Sequence, residues 1–347
     1  MTQRRTNAAG MTRPELSVLL AYAKRSVFRA LLESELPDSD YLVADLARYF
    51  PPAIVEGFGH LLAEHPLKRE IIATMASNDV VNSQGITFVS RMVAEIGAHP
   101  ADVVRAFRIA RDVTGAVARW EEIEKLDGVV DPVVQNDLLS GVDWLVEMTS
   151  RWYLVQAAGQ RLSDAVDASR DSFAELASQI DQIGPEAWRE EHEQIAERLI
   201  AEGVPAPLAR RTAFQGELVH APDIIAVSHA TGRAPLEVAR GFFVLGERLQ
   251  LDWLENQLEA LPAGTRWQRW ARQSMEDDLF SLRRSLCERA LEVAGGAPID
   301  EAIDGFLASR EEAVARLQRF LRSLGIEGVT DLSQLTVALR QIRALVG

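Results

Sequence analysis

The sequence predicts an all-α protein: a multi-helix array in two packed helical subdomains, with essentially no β-sheet. Three observations carry this. Apolar residues recur at three- and four-residue intervals through nearly every long segment. Helix-start residues such as Thr12 and Asp331 and helix-stop residues such as Gly85 punctuate those segments. No segment alternates apolar and polar residues between turns, as a half-buried strand would.

The elements follow in order. Thr12 and Glu15 form a capping box, Pro14 sits in the first turn, and Leu16, Leu19, Leu20, Ala23 and Val27 share one face. A Pro37-Asp38 turn precedes a short helix to Phe50, and Pro51-Pro52 starts another that stops before Pro66. "LKREIIATMASNDVV" and "GITFVSRMVAEIG" read as two helices, the second with Ile86, Val89, Val93 and Ile96 in register. His99-Pro100 breaks the chain before a helix over Val103–Val117. A long helix from Pro132 to about Ala158 places Leu138, Val142, Leu145 and Trp152 on one side. Residues 159–184 hold a further helix amid Gly, Ser and Asp. Beyond Pro185 come "PEAWREEHEQIAERLIAEG", "PAPLARRTAFQGELVHAP" and one longer helix, "PLEVARGFFVLGERLQLDWLENQLEAL". Helices over Thr265–Ala294, over Asp300–Leu324 and after Asp331 complete the chain.

Composition narrows the function. At 347 residues the chain can hold two compact domains or one large helical array. Hydrophobic content of 47% and charged content of 25% are ordinary globular values. A net charge of −14 argues against a dedicated nucleic-acid surface and against attachment to an anionic membrane. No apolar run is long enough to span a bilayer and no signal-peptide pattern opens the chain, so the expected location is cytoplasmic. The single cysteine, Cys287, excludes an intramolecular disulfide framework and reads as a half-buried structural residue.

Motifs that carry chemistry are missing or misspaced. No G-x-G-x-x-G or Walker loop exists, so no nucleotide site is expected in this chain. His60 and His65 are five apart, which does not stack them on a helix face as metal ligands. His192 lies on the Trp188–Ile195–Leu199 stripe and reads as a hydrogen-bonded core histidine rather than a catalytic one. The segment Ala221–Gln250 has the rhythm of a helix-turn-helix, but its second helix opens on Ala234-Pro235-Leu236-Glu237, and its charges cancel. A helical hairpin in the core fits better than a DNA reader. Trp253, Trp267 and Trp270 are expected as core or interface anchors, "RWQRWARQ" being a plausible interface stretch.

"NDVVNSQGITFV" (Asn78–Val89) interrupts an apolar segment. Helical spacing puts Asn78 and Asn82 on one face, and Gly85 permits a positive φ or a close approach. With no strand before it and no lysine after it, the stretch reads as a structural polar joint between two helices, not a phosphate cradle.

Taken together and in order, "GMTRPELSVLLAYAK", "DSDYLVADLARYFP", "HPLKREIIATMASNDVVNSQGITFVSRMVAEIG", "RWEEIEKLDGVVD", "ERLQLDWLENQLEALP" and "LSQLTVALRQIRALV" resemble the C-terminal helical region of the large bacterial NAD-specific glutamate dehydrogenases, from about Gly10 to the end. The resemblance implies a domain that follows the catalytic one. Residues 1–11 would be a linker from that domain, 12–160 and 185–347 helical subdomains, and 161–184 the connecting helix. It further implies an enzyme that converts glutamate and NAD to 2-oxoglutarate and ammonium, in a homo-oligomer. The family's substrate lysines, catalytic aspartate and cofactor loop have no matching positions here, so no catalytic, cofactor-binding or metal residue is expected. The implied partners are the upstream catalytic domain and other subunits, with no nucleic acid and no membrane. A stand-alone helical enzyme, or a helix-turn-helix binder, is the alternative.

Overall fold

The computed structural model describes residues 10–184, 186–328 and 331–347. Among these there is no strand, and helices follow one another nearly throughout, so the chain is all-α. The first nine residues of the expected linker lie outside the described residues. Two compact units emerge: residues up to Asp127 with Gln135–Arg170, and Gly128–Val134 with Asp171–Gly347.

The first unit opens with α1 (Arg13–Leu32), where the Thr12 N–H donates to Glu15 Oε2 at 2.9 Å, one half of the capping box. Short helices follow: α2 (Asp40–Val43), α3 (Leu46–Tyr49) and α4 (Pro52–Phe58), then a 3-10 turn over Gly59–Glu64. Next come α5 (Lys68–Gln84), α6 (Phe88–Ile96), α7 (Pro100–Val113), α8 (Ala116–Glu124) and α9 (Pro132–Gln156). At the centre lies α7, packed by α1, α5 and α6. Its apolar face and most of its remaining surface are buried, and Phe107 meets Phe88 edge-on at 6.3 Å. The helix expected over Val103–Val117 instead starts at Pro100 and stops at Thr114, because Gly115 takes a left-handed φ of 65° and turns the chain into α8.

A continuous helix, α10 (Leu162–Ile183), carries the boundary between the units at Arg170. The second unit holds α11 (Glu186–Ala201), α12 (Ala206–Ala213), a 3-10 turn over Gln215–His220, α13 (Ala221–Thr231) and α14 (Pro235–Leu249). It continues with α15 (Leu251–Ala260), the 28-residue α16 (Arg266–Val293), α17 (Ile299–Ala308), α18 (Glu311–Glu327) and α19 (Leu332–Val346). The long α16 packs against α13, α14, α15, α17 and α19, so it is the post of this unit.

Two expected long helices are each broken in two. Gln250 adopts φ 56°, the one positive φ among described non-glycine residues, and separates α14 from α15. The break lets Leu249 and Leu251 both reach the core, which a straight helix would point about 200° apart. Similarly, Ser309-Arg310 ends α17 and starts α18, with Ser309 Oγ bonded back to the Phe306 carbonyl at 2.7 Å.

Candidate functional site

Each unit contains a buried charge cluster that sequence spacing did not single out. In the first unit, Arg108 and Arg111 project from α7 although both are almost fully buried. Arg108 pairs with Asp45 of the α2–α3 junction and, at 2.7 Å, with Asp112. Arg111 reaches Asp79 of α5 and Asp112, both at 2.9 Å. The Tyr41 hydroxyl donates to Asp112 Oδ2 at 2.8 Å, and Arg170 donates to the Tyr41 oxygen at 2.9 Å.

Burial opposes the charged forms of Arg108 and Asp112, and the geometry decides the outcome. Desolvation works against Arg108, yet Asp45 and Asp112 outweigh it and raise its pKa. Desolvation likewise works against ionised Asp112, yet Arg111 and Arg108 hold its carboxyl below the usual range. Tyr41 is pushed up to about 12 by burial and by its bond to Asp112. The cluster is a closed set of fixed charges, suited to clamping α7 onto α5 and the α2–α3 junction rather than to moving protons near neutrality.

The stretch Asn78–Val89 enters this picture through Asp79. Asn78 and Asn82 both lie inside α5, the first half-buried and the second exposed, and the joint proper is Gly85-Ile86-Thr87. Gly85 has φ 79° and ψ 172°, a conformation that ends α5 at no steric cost only for glycine. The charge contact between α5 and α7 runs through Asp79, one residue from the expected asparagine.

In the second unit, Arg283 of α16 is 0% exposed. Its Nη1 lies 2.7 Å from Asp252 Oδ1 and 2.9 Å from Glu255 Oε1, both on α15, and 3.4 Å from His220 Nε2. Its Nε and Nη2 make no hydrogen bond; the guanidinium instead lies 4.6 Å from the centre of the Phe242 ring. Room for it exists because position 246 is glycine: a Cβ there would stand 2.8 Å from the Arg283 Cζ. Burial penalises the Glu255 charge, but His220 and Arg283 overcome it and bring its pKa down to about 2.

His192 is buried, its Nδ1 2.6 Å from the Trp188 carbonyl, its ring stacked on Phe214 at 4.7 Å, and its Nε2 3.4 Å from Glu217. Burial opposes its charged form, but the hydrogen bond to Glu217 raises its pKa overall. Cys287 is fully rather than half buried, and burial pushes its thiol up to about 12, far from a reactive thiolate. The hairpin expected from Ala221–Gln250 is α13, a left-handed Gly232 and α14, with Phe242 and Phe243 in the core. Trp253 is half-buried on α15. Trp267 is 72% exposed and meets half-buried Trp270 edge-on at 5.4 Å, with the Arg266 guanidinium 4.0 Å above the Trp270 ring.

A cavity of about 220 Å³ opens in the first unit between the α6–α7 turn and the end of α9, lined by Ile109, Tyr153 and Leu154 with Arg105 and Asp102 paired at 2.5 Å. Burial raises the Tyr153 phenol further from neutrality. Among the described residues no group of three or more His, Cys, Asp or Glu side chains converges as a metal site. Among the described residues, no helix is long and apolar enough to cross a membrane.

Residues 8–344 match the family described as glutamate dehydrogenase, C-terminal. The chain belongs to that family. Among similar proteins are the NAD-specific glutamate dehydrogenases of Halomonas elongata, 34% identical over 347 residues, and of Pseudomonas aeruginosa, 33% identical over 356. That of Mycobacterium tuberculosis is 33% identical over 349 residues. Each alignment takes in 99% of this chain but 21% of the relative. The chain therefore spans about a fifth of the length of the curated relatives it matches. The family match and the relatives agree with the resemblance carried by the six stretches quoted above.

Proposed function

We propose that this chain is the non-catalytic, C-terminal helical module of a cytoplasmic NAD-dependent glutamate dehydrogenase, with a role in assembly or regulation. The observation that carries the reading is the family match along residues 8–344, set beside relatives almost five times as long. The geometry fits it. Both buried charge clusters hold helices together, and their cations already have carboxylate partners within the chain. The conversion of glutamate and NAD to 2-oxoglutarate and ammonium then belongs to the preceding part of the polypeptide, which binds the cofactor.

Within that enzyme the module acts by subunit contacts or by constraining how far the catalytic domain opens. The exposed Trp267, with Arg266 and Trp270, is the kind of aromatic–arginine group that anchors such contacts in a homo-oligomer. The test is the purified chain assayed alone: glutamate-dependent NAD reduction by it would overturn the proposal.

A further inference from the structure

Exposed apolar side chains are unevenly distributed along the chain. Among the described residues, nine of the nineteen large ones fall between Met11 and Leu67, about a sixth of the sequence. Their centre is α4, seven residues long, which buries none of its side chains. A helix that short is marginal in water unless a packed face holds it. Ile54, Phe58 and Leu61 are 40%, 55% and 47% exposed, and they follow one another at i, i+4 and i+7 across α4 and the 3-10 turn behind it. Within α4, Ile54 and Phe58 at i and i+4 share one side of the helix, the spacing by which a helix seats in a groove. Ile54 and Phe58 of α4 are thus only partly covered by their own unit.

We infer that this face docks against the preceding, catalytic part of the same polypeptide, an inference that rests on the function proposed above. Three observations select this occupant. The matched family is the C-terminal one and about 79% of each relative's length lies outside the match, so a large partner is tethered ahead of α1. α1 itself, the helix nearest that tether, exposes Val18 and Tyr22 at four-residue spacing, and Met11 is exposed just ahead of it. The face is also small: three half-exposed side chains fall well short of the roughly 1,200 Å² that a stable association between free proteins buries. A covalent tether supplies an effective concentration on the order of millimolar, so a small apolar contact suffices. Charge disfavours a lipid surface, since Tyr49–Leu67 carries Glu56 and Glu64 and no lysine or arginine.

The experiment places single cysteines in the full-length polypeptide and follows maleimide modification peptide by peptide with mass spectrometry. Phe58→Cys and Ile54→Cys probe the face, and Val293→Cys and Ile326→Cys, at positions 66% and 86% exposed, serve as references. Native Cys287 is buried with its thiol pushed up to about 12, and adds no signal in this region. Positions 54 and 58 should react about tenfold or more slower than the references, as sites shielded by a docked domain do, and should stay protected when subunits are diluted apart. Equal rates would overturn the docking. Protection lost on dilution would assign the face to a second copy and overturn it as well. Neither result depends on whether this chain is catalytic, which the assay of the chain alone decides.

Discussion

A Cβ added at Gly246 would crowd the Arg283 guanidinium, which is fully enclosed by Phe242, Asp252 and Glu255 and cannot retreat. Gly→Ala inside a helix ordinarily stabilises by about 0.5–1 kcal/mol. At Gly305 of α17, where nothing lies within 4 Å of the added carbon, Gly305→Ala should do so. Gly246→Ala should instead destabilise by about 1–3 kcal/mol, as overpacking a closed core does. Paired urea unfolding of the two variants reads the opposite signs. Asp143 offers a pH-dependent counterpart. Burial raises its carboxyl to about 6, only partly offset by the Trp120 N–H at 3.0 Å. An unfolded chain releases that proton near 3.8, so the folded state loses stability as pH rises from there through about 6, and the penalty is complete above. Asp143→Asn keeps an acceptor for Trp120 and removes the penalty. Because the group is half-exposed, the gain at neutral pH should be about 1–2 kcal/mol rather than the full converted shift, and near zero below about pH 4. Thermal unfolding across that range measures it. Neither Gly246 nor Arg283 stood out in the sequence. Gly246 matters through an arginine 37 positions away, and Arg283 meets Asp252 and Glu255 only through tertiary packing.

At the scale of the element, the starts of three helices could be read directly, because capping chemistry is local: Thr12 with Glu15, Thr265 with Gln268, and Asp331 with Gln334 all act within one turn. Breaks inside apolar runs could not. "GERLQLDW" contains no glycine or proline at the hinge, and glutamine is a good helix former, so only the core's demand for both Leu249 and Leu251 reveals the kink. That demand holds exposed Gln250 at φ 56° against its own preference. Gln250→Gly should relieve it and stabilise by a few tenths to about 1 kcal/mol, less the added freedom of glycine in the unfolded chain. A loss of stability measured by the same unfolding experiment would mean that the break is not strained. The α5–α7 contact shows the same limit. "NDVVNSQG" marks the end of a helix, but the choice of Asp79 over its asparagine neighbours depends on Arg111, 32 residues further on.

At the scale of the whole molecule, the all-α class and the family were legible, the first from periodicity and the second from six stretches in a fixed order. The buried clusters were not, because their members come together only through tertiary packing, at separations such as Arg108–Asp45 and Arg283–Glu255. What those clusters do is consistent across both units: carboxylates and guanidiniums are neutralised inside the chain, fixing helices relative to one another within each unit. On the function proposed above, such a scaffold, matching a fifth of the length of its dehydrogenase relatives, serves to hold and position. The claim is tested most directly by purifying the chain, confirming its helical content by circular dichroism, and recording NADH formation with glutamate and NAD beside the full-length polypeptide at equal molar concentration. The account predicts glutamate-dependent NADH from the full-length protein and none above the enzyme-free rate from the chain. Glutamate-dependent NADH from the folded chain alone would contradict it.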